Sequence, residues 1–383
     1  MSQRSMRLRP AGGWFTMPFY PKATSRPADM NQQAVPPTLA SASPLRFPFS
    51  HPPVPGHTTE VAPGVYWLRM PLPFVLDHIN LWVLRDDDGA FTLVDCGLNT
   101  DTTRGLWEQH FERLLAGARG ARVIVTHFHP DHVGLAGWLT ERLDVPMWMS
   151  EGEFLMAHVS YGELPGHRRD DQLALYRRHG LDAAREAAIR ARPHSYRRGI
   201  TEPPPAFIRL MENDRVRIGG RDWQVIVGHG HAPEHAALYC AQAGVLISGD
   251  MLLPKISTNV SVWPEQPEAD PVALFLSSLE RFLPLPEDTL VLPSHGLPFR
   301  GARERIAALH AHHADRLAEV VEACGRPASA ADIVPVLFRR QLDDHQMSFA
   351  MGEAIAHLNH LRLQERLVRT EGDDGVLRFT RTG

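Results

Sequence analysis

Cysteine is scarce: the 383 residues hold three, Cys96, Cys240 and Cys324, widely spaced and without a CxxC pair. So few, and an odd number, exclude a disulfide scaffold and point to a reducing, cytoplasmic setting. Long apolar runs are missing as well. None approaches the roughly 20 residues that cross a bilayer, so no membrane is expected as a partner. There is no excess of positive charge either. Forty Lys and Arg face 44 Asp and Glu, a formal net charge of −4, which argues against a chain whose main task is coating nucleic acid. Apolar residues at 43% and charged residues at 22% leave an ordinary globular composition, long enough for two or three domains. What abounds is histidine. There are 21, several crowded into short spans, and imidazole is both the commonest metal ligand and a frequent acid or base.

Residues 1–55 are rich in Pro, Ser, Ala and Arg with no apolar period, and a disordered tail is expected there. The tail is basic, which leaves a targeting segment open, but it has no apolar stretch suited to a secretory signal. From Val61 the texture changes to short β-rich runs split by turns: VYWLRM (65–70), INLWVLR (79–85) and FTLVD (91–95). A helical stretch near 101–117, the buried-strand pattern RVIVT (122–126), a helix over 134–143 and a strand at 146–150 predict an α/β layered domain over 56–300. Residues 151–205 interrupt it with helical, Arg-laden sequence; strands resume at 207–211, and VLPSH (291–295) is the last. From Gly301 the chain is mainly helical and closes on two short strands around a D-G turn.

The chemistry is concentrated in THFHPDHVG, residues 126–134. Just past a buried strand, His127, His129, Asp131 and His132 leave in one tight loop, and neutral imidazole with carboxylate is the donor set that zinc, iron and manganese accept. The i, i+2 histidines share one side of an extended segment, whereas Asp131 and His132 follow the Pro130 turn and face a second position.

This H-x-H-x-D-H run resembles the hallmark of the metallo-β-lactamase superfamily. The resemblance implies further ligands at later strand ends, and each has a counterpart: His231 in GHAPEH, Asp250 in VLISGDM and His295 in VLPSHG. By that resemblance His127, His129 and His231 bind one divalent metal ion, Asp131, His132 and His295 bind another, and Asp250 bridges them. The pair is expected to be zinc, with iron or manganese as alternatives. A shared carboxylate also makes chemical sense, because it offsets the repulsion of two dications roughly 3.5–4 Å apart. His229 and His235 flank His231 and compete with it; spacing favours His231 and leaves His235 to orient the loop. Asp95 in LVDCG sits where the superfamily keeps an aspartate behind the ligands, and a simple turn-forming role before Gly97 stays equally open. Glu234 stands where the superfamily has glycine.

The fold implied is α+β: a four-layer αββα sandwich with a helical insert at 151–205 and, over 301–383, a helix–helix–hairpin tail resembling a winged helix. The activity implied is hydrolysis by water activated between two metals, with Asp131 and Asp250 as the catalytic carboxylates. A thioester or related acyl ester, on coenzyme A or glutathione, is the expected substrate. A phosphodiester, as in an endoribonuclease, then a lactone or β-lactam, are the alternatives, and a winged-helix regulator with a metal-binding domain is the non-enzymatic one. Between 163 and 202 there are nine Arg and six Asp or Glu, which suits a small anionic acyl partner. Tyr161, Tyr196 and His194 of the insert, and Asp77, His78 and Asn80 ahead of a strand, are candidates to touch it. The expected recognition helix of the tail balances Arg362 and Arg366 against Glu353 and Glu365, a poor phosphate binder. Packing, or a homodimer contact, is the role expected of it.

Overall fold

The computed structural model describes residues 45–192 and 196–383, apart from the side chain of His345. His194 and the first 44 residues of the expected tail lie outside the described residues. The end of that tail differs from the expectation. Arg46 pairs with Arg300, Phe47 packs on Phe299 and Phe49 sets its edge on Trp67, so residues 45–55 lie against the domain because two aromatic rings find apolar partners there.

The first sheet runs in chain order through β1 (Thr59–Ala62), β2 (Val65–Pro71), β3 (His78–Arg85), β4 (Phe91–Val94), β5 (Gly120–Ile124), β6 (Met147–Met149) and β7 (Ile208–Arg209). Pairing is antiparallel from β1 to β4 and parallel from β4 to β7. The parallel half follows from its connections, since a parallel neighbour requires a crossover. Those crossovers are α1 (Asp101–Arg113), then α2 (Pro130–Val133) with α3 (Ala136–Leu143), then the insert. The insert itself comprises α4 (Glu151–Tyr161), α5 (Arg169–Arg178), α6 (Ala183–Ala191) and α7 (Tyr196–Gly199). The second sheet has the order β12-β11-β10-β9-β8, built from β8 (Arg215–Ile218), β9 (Arg221–Gly228), β10 (His235–Cys240), β11 (Val245–Gly249) and β12 (Leu290–Pro293). Its single parallel pair, β11 with β12, is joined through α8 (Pro271–Leu279).

Strand alternation sorts the core into layers. Val65, Trp67, Trp82, Val94 and Ile124 of the first sheet interleave with Trp223, Val225, Leu238, Ile247 and Leu292 of the second. The opposite face of the first sheet presents Leu68, Leu81, Leu93 and Val123 to Trp107 of α1 and Leu139 of α3. The opposite face of the second presents Ile226, Tyr239, Leu246 and Val291 to Phe275 of α8. The result is the expected αββα sandwich. The same outer cluster continues through α9 (Ala302–Ala323), α10 (Ala330–Leu337), α11 (Asp344–Leu363) and the hairpin β13 (Leu367–Glu371) with β14 (Leu377–Arg381). Ile355 of α11 and Phe379 of β14 are both fully buried in it. All three cysteines are buried and free. Among the described residues no helix is long and apolar enough to cross a membrane.

Trp82, fully buried between the sheets, tests the layer assignment. Trp82→Ala is expected to lower stability by about 3–5 kcal/mol in equilibrium urea unfolding, the usual cost of truncating a buried aromatic ring.

Candidate metal centre

The carboxyl ends of five strands gather at one edge of the sandwich, the usual place for a site on an α/β sheet. Asp95 follows β4, His127 to His132 follow β5, His231 follows β9, Asp250 follows β11 and His295 follows β12. The loops are stitched across the two sheets, Ala236 N donating to Thr126 O at 2.9 Å and Asn80 N to Ser294 O at 2.7 Å, and within the second sheet, where Ser294 N donates to Gly249 O at 3.2 Å. Pro130 opens α2 without loss, because an amide at that position would have no helical partner, and the turn carries Asp131 and His132 back beneath His129.

Two donor groups result. His127, His129, His231 and Asp250 form one, and Asp131, His132 and His295 the other, each with its donor atoms mutually within 4.8 Å. Asp250 faces both. Its Oδ2 lies 3.5 Å from His231 Nε2, while its Oδ1 lies 3.6 Å from His132 Nε2 and 3.4 Å from His295 Nε2. His295 Nε2 is 3.5 Å, and His132 Nε2 3.7 Å, from Asp131 Oδ2. In the first group His127 Nε2 is 2.9 Å from His129 Nδ1 and 3.2 Å from His231 Nε2. Two nitrogens that share a tetrahedral ion at 2.0–2.1 Å stand about 3.3 Å apart, so this spacing fits a common cation.

Outer hydrogen bonds fix which nitrogens carry lone pairs. His231 Nδ1 donates to Asn259 O at 2.8 Å, His295 Nδ1 to His78 O at 2.7 Å and His132 Nδ1 to Asp95 Oδ2 at 2.8 Å. In each case Nδ1 is spent on that bond and Nε2 is turned toward the cluster; burial opposes charge on His132 and His295, but neighbouring carboxylates outweigh it and hold both above the usual histidine range. Thr126 spends its hydroxyl proton on Asp95 and thereby accepts from His127 Nδ1 at 3.1 Å. Burial and neighbouring imidazoles hold His127 and His129 well below the usual histidine range, so both are neutral donors. Burial opposes charge on Asp250, but His295 and His132 outweigh it and hold the carboxyl well below its usual range. His132 Nε2 and Asp250 Oδ1 are buried without a hydrogen-bond partner although they face one another's cluster. Orphaned buried donors of this chemistry are what a pair of divalent cations would satisfy; imidazole with carboxylate suits zinc, iron and manganese alike.

The flanking candidates separate cleanly. His229 turns away, its Nδ1 on Pro233 O at 2.6 Å. His235 supports Asp250 instead, accepting the Asp250 amide on Nε2 at 3.1 Å. Burial, then His231, push its pKa down to about 3, which preserves that lone pair. Gly249 makes the bond possible: it has φ +54°, and a Cβ there would come within 2.2 Å of His235 Nε2. Asp95 is no mere turn residue. It holds φ +63° while binding Thr126 N, Thr126 Oγ1 and His132, a strained backbone kept in place by those bonds. His78 and Asn80 buttress His295: Gly296 N donates to His78 Nε2, and Asn80 Nδ2 to Pro293 O and Gly296 O. Asp77 in turn holds His78 Nδ1 at 2.6 Å.

Two glutamates matter that the sequence did not flag. Glu153 on α4 is fully buried and accepts Phe128 N at 2.9 Å and Glu234 N at 2.6 Å, clamping both histidine loops to the insert; burial pushes its carboxyl up to about 8 despite those donors. Glu234, the departure from glycine, receives Gly152 N on its side chain and Ser150 Oγ on its carbonyl. Glu353 on α11 accepts Asn259 Nδ2 at 2.9 Å, and Asn259 is the residue whose carbonyl holds His231. Beside His129 lies a cavity of about 240 Å³ walled by Met156 and Tyr196 of the insert, by Trp263 and by Phe349 of α11. Tyr196 donates to Phe128 O at 2.8 Å, whereas Tyr161 packs under Arg197 and does not line the cavity.

The family model described as the metallo-beta-lactamase superfamily matches residues 75–295, the stretch that holds every donor above. The chain belongs to the metallo-beta-lactamase superfamily. A second model, the metallo-beta-lactamase-like C-terminal domain, matches residues 317–382. Among solved structures of the superfamily, a beta-lactamase domain protein from Burkholderia ambifaria is 52% identical with a TM-score of 0.83, over 88% of this chain and 98% of that one. A probable metallo-hydrolase of Bacillus subtilis is 26% identical over 81% of this chain and 95% of its own length. A hydroxyacylglutathione hydrolase from Cereibacter sphaeroides is 32% identical over 34% of this chain and 51% of its own. As a superfamily member with this donor set, the chain is a metallo-hydrolase.

Removing the partner that orients His132 should loosen the metals. Asp95→Ala is expected to weaken metal affinity 10–100-fold in competition with a chromogenic chelator, with the circular dichroism spectrum intact. Glu353→Ala, two bonds removed from His231, is expected to give a smaller loss of several-fold in the same titration.

Proposed function

We propose that this metallo-hydrolase cleaves a thioester or a related acyl ester, with His127, His129 and His231 holding one divalent cation, Asp131, His132 and His295 another, and Asp250 spanning both. The observation that carries the two-site arrangement is the split of Asp250, one oxygen toward His231 and the other toward His132 and His295. When bound, the cations lower the pKa of a coordinated water toward 7 and polarise a carbonyl oxygen. The chain's own groups do the rest. Asp131 is the one donor of the second group that is partly exposed, which suits a carboxylate that orients water and takes a proton. Burial and neighbouring imidazoles keep His127 and His129 neutral and fixed, so little reorganisation accompanies charge development beside them. The cavity beside His129 sets Phe128, Met156 and Tyr196 around the space open to a scissile group.

Support for an acyl substrate comes from two directions. The walls of the cavity are largely apolar, and one relative acts on hydroxyacylglutathione, a thioester. The tail's contribution also favours a small molecule over nucleic acid. Of α11, the helix that would read a groove if the tail is a winged helix, Met351, Ile355, Leu358 and Leu361 are fully buried. Arg362 is occupied by Glu268 at 2.7 Å. A helix spent on packing is unsuited to recognition.

Metal-loaded protein is expected to release free thiol from acyl thioesters, and chelation is expected to abolish the release. Asp250→Ala should lower kcat by at least about 10³-fold. Retained turnover in that variant would refute the two-cation scheme. Cleavage of bis-phosphodiesters with no release of thiol would refute the acyl assignment.

A further inference from the structure

We propose that the cavity beside His129 is a bipartite acyl site, taking an apolar acyl segment near the donor groups and an anionic end on guanidinium groups of the insert. This rests on the acyl ester reading above and specifies its substrate. Phe128, Met156, Ile189, Trp263 and Phe349 supply uncharged wall. Arg168, Arg169 and Arg192 line the same cavity. They are grouped by the fold, since the first two open α5 and the third follows α6, and Arg169 Nη1 donates to the carbonyls of Arg190 and Arg192. Among the described residues of the lining, three guanidinium groups therefore stand against two carboxyls, Glu265 and Asp344.

The three arginines divide into scaffold and receptor. Arg169 caps the last carbonyls of α6, and its burial holds its pKa below the usual arginine range, a desolvation that a nearby anion would offset. Arg168 is steered by a neutral partner, Nε donating to Glu163 O at 3.0 Å, which orients the fork without cancelling its charge. Arg192 lies 3.9 Å from Asp343, too far for a strong pair, and half of its side chain faces solvent. Arg168 and Arg192 are thus the groups available to an incoming anion. Planar forks of this kind match both phosphate and carboxylate, the anions carried by coenzyme A and by glutathione. A nucleic acid strand would also meet cations here, but it has no use for the apolar patch of Phe128, Met156, Ile189, Trp263 and Phe349 beside them.

The test compares octanoyl thioesters of coenzyme A, of glutathione and of neutral N-acetylcysteamine on metal-loaded enzyme. Each is measured with the native chain, with Arg168→Ala/Arg192→Ala, and with Arg142→Ala, whose arginine pairs with Glu108 outside the cavity, as the control. Arg169 is left in place because removing it would disturb α6. The preference for an anionic over the neutral thioester, read as the ratio of kcat/KM values, is expected to exceed tenfold and to fall about tenfold in the double variant only. Whichever carrier loses more identifies phosphate or carboxylate as the anion. Lengthening the acyl group from butanoyl to octanoyl is expected to raise kcat/KM by up to about fourfold per methylene. A ratio unchanged by the double variant, with its thermal unfolding also unchanged, overturns the anionic half. Indifference to chain length overturns the apolar half. Absence of thiol release from every thioester overturns the underlying reading as well, a result distinct from both.

Discussion

Everything at this site depends on bare imidazole nitrogens being held nose to nose in a buried place. His127 Nε2 sits 2.9 Å and 3.2 Å from two other ring nitrogens, and the partners of His127 and His231 force lone pairs rather than protons into that space. Neutral donors so arranged repel, and buried ones have no water to turn to. A cation between them converts the repulsion into binding, and Asp250 carries that logic across to the second group. The protein thus stores an arrangement that is unfavourable by itself and favourable when filled, which is how metal binding and folding become linked.

Such an arrangement demands rigid delivery, and the two sheets provide it. Most donors leave a strand end within a few residues, before the chain has freedom to wander, and Asp131 and His132 are carried on the short helix that follows. The remaining slack is removed by backbone features with little tolerance. A side chain at Gly249 would strike His235, and one at Gly230, where φ is +95°, would strike the backbone of Pro271 and Phe275. Asp95 accepts a left-handed conformation to reach His132 and Thr126 together. Of these, Asp95 carries local strain held by its bonds and packing, of the kind expected where geometry serves chemistry.

The donors were legible because their signal is short in sequence: a strand, then a histidine or aspartate at a fixed step. The sandwich was legible for the same reason, since alternation within each strand says which face is buried. What remained closed is whatever depends on distant neighbours. Glu153 reads as an ordinary acid in the first turn of a helix, favoured there by the helix dipole, and nothing local reveals that Phe128 and Glu234 will donate to it. Glu353 reads as a solvated charge on a helix 94 residues from Asn259. His78 and Asn80 read equally well as substrate contacts and as supports for His295, and only the fold separates the two. The tail boundary was misjudged because Phe47 and Phe49 lie in a Pro-rich stretch whose composition hides two apolar anchors.

The carboxy-terminal residues are best understood through the same dependence on distance. Val262 N bonds Gly352 O at 3.1 Å and Asn259 bonds Glu353, so α11 fixes the loop that orients His231. Phe349, on the same helix, also walls the cavity, and Tyr176 of the insert donates to Ser348 O at 2.6 Å. One helix therefore touches a histidine loop, the cavity and the insert at once. An independently acting reader domain would need its helix free; this one is consumed in holding three parts of the hydrolase in register. Its sequence agrees, with alanine, methionine and leucine where a groove reader would place arginine. The tail, a C-terminal domain, thus also supplies part of the wall of the candidate site.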